Sequence, residues 1–158
     1  MAISLAAALA SLLIGVIAGL RTMTALAAVS WAARTGVLYL HGTWLAFLGY
    51  PLVAWILTAA AIAEFFTDQL PTTPSRKTAV QFGARVLSGA ISGGAVGTAA
   101  GSWTIGTAAG ILGAIFGTVG GSAFRTGLAS TFRRDRPAAL IEDVVAIGGA
   151  ALVLGLLV

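Results

Sequence analysis

Apolar residues run along this chain in long blocks separated by short polar breaks, the pattern of helices whose solvent is lipid. The first block extends from Ile3 to Leu20, is interrupted at Arg21-Thr22, and resumes as far as Ala33. A straight helix over 3–33 would be about 46 Å long, against a hydrocarbon core of about 30 Å. The segment is therefore expected to tilt strongly, leave the membrane or break. Gly15 and Gly19 before Arg21, with Thr22 and Thr24 after it, place a break there. Residues 35–50 carry Tyr39, His41, Trp44 and Tyr50 and read as an interfacial connection. Pro51 suits a first helical turn, which needs no amide donor, so a second span is predicted from about Tyr50 to Phe66.

The clearest loop is Gln69–Thr78, and within it Thr73-Pro74 reads as an N-cap followed by proline. The helix after it places Lys77, Gln81 and Arg85 one turn apart, a basic face suited to the headgroups. From Val86 to Phe124 there is no charge, which gives two further spans with a turn near Ser102-Trp103. Glycines recur there at every fourth position: Gly89, Gly93, Gly97 and Gly101, then Gly106 and Gly110, then Gly113, Gly117 and Gly121. That spacing keeps them on one helix face, so backbones can approach closely, within a subunit or across a homodimer. The alternative is a pore walled by exposed backbone. A basic loop at Arg133–Pro137 precedes a last helix from about Ala138 to Val158, with Asp135 as a capping residue. The fold expected is all-α, a single transmembrane domain over 1–158 with about five spans. Both basic loops lie inside by the positive-inside rule, the N-terminus inside and the C-terminus outside. An extra half-helix or span within 20–50 would flip the N-terminus.

Composition agrees. Of 158 residues, 58% are hydrophobic and 9% charged, where a soluble domain carries about 25% charge. Without cysteine, no disulfide or thiolate chemistry is open to the chain. The net charge of +4 sits mostly in the two basic clusters and leaves no extended basic face for a nucleic acid. No Lys or Arg precedes Arg21, so the N-terminus reads as a retained helix in place of a signal peptide. The location expected is a membrane.

The stretches GLRTMTALAAVSWAARTG (19–36), AEFFTDQLPTTPSR (63–76) and LIEDVVAIGGA (140–150) resemble a bacterial membrane-protein family catalogued as domain of unknown function 4126. The matching elements are Gly19-Leu20-Arg21, then Glu64, Asp68 and Pro71, then Glu142-Asp143. The resemblance implies a compact polytopic domain of the bacterial inner membrane in which these polar residues belong to the pattern. It brings no activity with it.

Two constellations carry potential chemistry. Glu64 and Asp68 share one helix face, and Glu142 and Asp143 begin another helix. Four converging carboxylates suit a hard cation or a proton relay. The competing reading is neutralisation by Arg85, Arg125 and the loop arginines. At a break near Arg21, free amides at a new helix N-terminus, with the hydroxyls of Thr22 and Thr24 and the guanidinium, favour an anion. The competing reading is an arginine closing an ordinary helix at the outer interface. Gly19-Leu20-Arg21-Thr22 also resembles Ala123-Phe124-Arg125-Thr126, as an inverted repeat would. Enzyme motifs are poor: His41 stands alone, and the glycine-rich runs lack a phosphate-loop lysine. No cofactor is expected, and the metal question stays open. The leading expectation is an oligomeric transporter or channel-like protein for an ion or small polar solute. The alternatives are an assembly subunit of a membrane complex, or a magnesium-dependent lipid-phosphate enzyme.

Overall fold

In the computed structural model, the first apolar block forms two helices. The structure describes residues 4–68, 78–132 and 135–155, and the side chains of 4–68, 78–127 and 140–155. α1 (Leu5–Leu20) starts at Ser4, whose hydroxyl accepts from the Ala7 amide, and α2 (Thr22–Arg34) follows after one extended residue, Arg21. Next come a 3₁₀ turn (Ala46–Gly49), α3 (Pro51–Thr67), α4 (Ala79–Ala99), α5 (Trp103–Phe132) and α6 (Asp135–Gly155). There is no strand among the described residues.

Arg21 does more than bend the chain. Residues from Thr24 of α2 to its C-cap Thr35 line one groove with residues of α6 between Ile147 and Gly155, and that same stretch of α6 packs Gly149 on Ile17 of α1. α2 therefore runs back alongside α1, and the pair is a helical hairpin. There are six helices among the described residues, because the first apolar block breaks at Arg21 into α1 and α2. Six alternating helices put the start of α1 and the end of α6 at the same end of the bundle, the change that an extra segment within 20–50 was expected to bring.

The glycine ladders give the remaining directions. Gly113 of α5 faces Leu12 and Val16 of α1, Gly117 faces Val16, and Gly121 faces Leu20, so α1 and α5 run parallel. The Arg21 and Arg125 segments thus lie on parallel helices, which removes the inverted repeat suggested by their likeness. Gly93 and Gly97 of α4 face Gly110 and Gly106 of α5 in reverse order, so these two are antiparallel. A Cβ added at Gly97 would stand 2.6 Å from the Gly106 Cα, so the two backbones touch. Gly101 is not part of this ladder. It has a φ of +86° with nothing near it, and it ends α4. The Ser102 amide donates to Gly97 O and the Gly101 amide to Thr98 O, a Schellman stop that needs glycine in the left-handed position.

The connection over 35–50 is more than an interfacial loop. Leu38, Leu40, Leu45 and Leu48 are buried in the core while Tyr39, Trp44 and Tyr50 stay exposed. Ser30 of α2 donates to Leu48 O and pins the 3₁₀ turn. α3 begins at Pro51 as expected. The Thr73-Pro74 cap, Arg76, Lys77, Arg133 and Arg134 lie outside the described residues. α4 begins at Ala79 with Thr78 as its N-cap, and α6 includes Asp135 as its first residue, three positions ahead of the expected start.

Among the described residues one helix, Trp103–Gly127, is long and apolar enough to cross a membrane, while Leu5–Leu20 and Pro51–Thr67 are apolar but shorter. Helix length therefore does not by itself carry a multi-span arrangement.

Candidate functional site

A reversal built from one residue leaves two helix ends side by side, each with unsatisfied backbone groups. At the end of α1, Arg85 of α4 donates from its Nη1 to the carbonyls of Gly19 and Leu20, at 2.7 Å each. Thr118 of α5 adds a longer bond to Gly19 O at 3.4 Å, and Ser88 of α4 donates to Thr22 O at 2.7 Å. At the start of α2, the amides of Thr22 and Met23 donate to the two carboxylate oxygens of Glu64, at 2.9 and 2.8 Å. A cation thus sits at a helix C-terminus and an anion at a helix N-terminus, each opposite the helix dipole's partial charge.

Between those caps lies Arg21, with no solvent exposure. Its Nη1 donates to Asp68 of α3 and its Nη2 pairs with Asp143 of α6. The guanidinium also stands 5.4 Å from the centre of the Phe65 ring. Glu142, equally buried, lies 3.9 Å from Arg125, and Arg125 donates to the Asp68 backbone carbonyl at 3.3 Å. The hairpin tip is therefore tied to α3, α4 and α6 by charged side chains and to α5 by the Thr118 hydroxyl.

The structure brings Arg21, Thr22, Glu64, Asp68, Arg85, Arg125, Glu142 and Asp143 into one layer, with Thr24 one turn below. Three expectations change. The four carboxylates do not converge on one point: Glu64 goes to amides, Asp68 and Asp143 to Arg21, and Glu142 to Arg125. No three acidic or histidine side chains among the described residues are grouped to hold a metal ion. The free amides expected to attract an external anion are occupied by Glu64. Arg85 does not face the headgroups; it is 1% exposed and caps α1. Sequence reasoning missed Ser88, Thr118 and Phe65. The one signal for Ser88 was its place one turn after Arg85, on the face of the first ladder glycine.

The Glu64 cap gives a direct check. In Glu64→Gln one carboxylate oxygen becomes an amide donor opposite a backbone donor, and the charge facing the α2 dipole is lost. Unfolding free energy, followed by circular dichroism in mixed micelles, is expected to fall by about 1–2 kcal/mol. An unchanged value removes the capping role.

The chain matches the family profile described as "Domain of unknown function (DUF4126)" over residues 8–156. No curated protein and no solved structure matches it.

Proposed function

We propose a membrane role for this chain, which belongs to the DUF4126 family over nearly its whole length. In this reading all six helices sit in the bilayer of the bacterial inner membrane. The end of the bundle at which α3 stops and α4 begins faces the cytoplasm, because the sequence between them and that between α5 and α6 is basic, and the start of α1 and the end of α6 face the other side. The inverted distribution of side chains supports it. Leu52, Trp55, Phe66, Val144 and Leu152 are each more than 60% exposed, while Arg21, Arg85 and Glu142 are buried. A water-soluble monomer rarely leaves so much apolar surface open.

Within the membrane, the protein acts as an oligomeric transporter or channel-like protein for an ion or small polar solute. The observation that carries this reading is Arg21, fully buried between aspartates from two different helices. Buried ion pairs are a weak way to stabilise a fold, and ionisable groups within membrane helices generally mark a site that handles charge. Arg21 acts as a resident cation. A proton or cation that reaches Asp68 or Asp143 competes with it, loosens the hairpin tip from α3 and α6, and so couples occupancy to a second arrangement of the helices. The test is flux of protons, alkali cations and small anions in liposomes. Asp143→Asn is expected to cut the transported species' flux at least tenfold. Absence of flux for every species, in wild type and variant alike, ends the transport reading.

The pairing of Arg21 with aspartates of its own chain also favours a second reading, in which the cluster only pins the hairpin and the protein is an assembly subunit. Purification in mild detergent would then recover a stoichiometric hetero-partner, whereas a homo-oligomer alone counts against it.

A further inference from the structure

A groove of about 510 Å³ runs between α2, α3 and α6. It extends from Thr24 to Thr35 along α2, about 16 Å at the rise of a helix. Its walls are apolar and aromatic, Trp31, Phe65 and Ile147 among them, and no charged side chain among the described residues lines it. An ion placed there would lose its water and meet no counter-charge, so the walls suit a neutral occupant. Most of the polar groups on the walls are already engaged. Trp31 donates its indole N–H to the Thr58 hydroxyl at 3.0 Å, and Thr58 donates in turn to Ala54 O. Thr35 donates to Trp31 O.

Thr24 differs from these. It is 7% exposed, and its hydroxyl has no hydrogen-bond partner. The break at Arg21 explains why. A helical threonine can give its hydroxyl to the carbonyl four residues back, as Thr58, Thr98 and Thr118 do. Four residues before Thr24 is Leu20, on the far side of the break, and its carbonyl accepts from Arg85. A buried hydroxyl left unmet by its own protein costs stability, so an acceptor that enters the groove gains a hydrogen bond there.

We propose that this groove binds an ester-linked fatty acyl chain of a membrane lipid. The chain lies along α2, α3 and α6, and the ester carbonyl accepts from Thr24. The polarity along the groove fits that direction. Thr24, Phe65 and Ile147 stand at one end, each one helical turn from Arg21, Asp68 or Asp143, while Val37 and Leu154 stand at the other. The charged layer lies toward the cytoplasmic end of the bundle in the membrane reading above, on which this inference rests. A lipid of that leaflet carries its ester at the edge of the hydrocarbon and its chain deeper, away from the charges. A free fatty acid fits less well, because no cation on the described walls meets its carboxylate.

Trp31 serves as the reporter, in the full chain with the exposed Trp44, Trp55 and Trp103 replaced by phenylalanine. Purified in neutral detergent, it is titrated with the methyl ester of a brominated fatty acid, whose bromines quench an adjacent indole. The quenching is expected to saturate. In displacement, methyl palmitate should compete about fivefold better than hexadecane, the worth of one hydrogen bond, and better than palmitate. Thr24→Val keeps the side chain's shape and should erase the preference over hexadecane. Ala151→Phe, at an exposed lining position, should abolish the saturable quenching by filling the groove. Quenching that never saturates, survives Ala151→Phe or shows no preference for the ester overturns the proposal, as does an ester preference that outlasts Thr24→Val. Protein that stays in the membrane under alkaline carbonate without saturable quenching defeats this inference and leaves the membrane reading standing. Release by carbonate with saturable, ester-selective quenching does the reverse.

Discussion

Replacing Arg21 with methionine is expected to destabilise the protein by about 3–5 kcal/mol, because two carboxylates lose the cation that holds them. Asp68 and Asp143 reach Arg21 from different helices and are mostly shielded from solvent, so neither can rehydrate in place. Loss of the counter-charge in a shielded site is by itself enough for a loss of this order. The added cost is the mutual repulsion of two acids brought to one guanidinium. The triple variant Arg21→Met, Asp68→Asn, Asp143→Asn is therefore expected to recover most of the loss, since apolar or neutral replacements of a buried ionic group are often close to neutral. Arg21→Lys should fall between the two, because an ammonium lacks the planar fork that reaches two acids at once. Unfolding in mixed micelles, followed by circular dichroism, measures all three. Arg21→Met within about 1 kcal/mol of wild type would show that the triad does not hold the hairpin.

Gly110→Ala is the second large effect. Gly110 sits where three helices meet: a Cβ there would strike the Gly89 carbonyl oxygen and stand 2.9 Å from the Gly93 Cα, while Gly15 of α1 faces Gly110 from another side. Every obstacle is α4 backbone, so no rotamer change relieves it, and α4 must move away from α5. Overpacking typically costs about 1–3 kcal/mol, and a three-way backbone contact belongs at or above the top of that range. Gly83→Ala provides the contrast. Gly83 lies within α4 with nothing inside 4 Å of its added Cβ, so alanine should stabilise by up to about 1 kcal/mol through helix propensity alone. Similar effects at the two positions would mean that the ladder is not in close contact.

Much of the helical layout was legible in the chain. Pro51 marks the start of α3, the four-residue glycine spacing marks the seam of α4 and α5, and the doublet near Ser102 marks their turn. These signals are local: a proline's missing amide or a repeated glycine acts on its own helix whatever surrounds it. The break at Arg21 was legible for the same reason, since no single helix of that length fits a bilayer. Its consequence was not. Whether a broken helix continues or turns back depends on what receives the second half, and here that is a surface made by α3 and α6, far along the chain.

Sequence alone thus determined an all-helical chain and the family to which it belongs. The tertiary structure alone decided the partners of its polar residues. Arg21 was placed at a break, but nothing local says that Asp68 and Asp143 close on it, that Glu64 takes the amides otherwise open to an anion, or that Arg85 leaves the surface to cap α1. Charge pairing is a long-range choice: each buried group takes the counter-charge that chain topology delivers to its depth, and spacing within one segment carries no record of that depth.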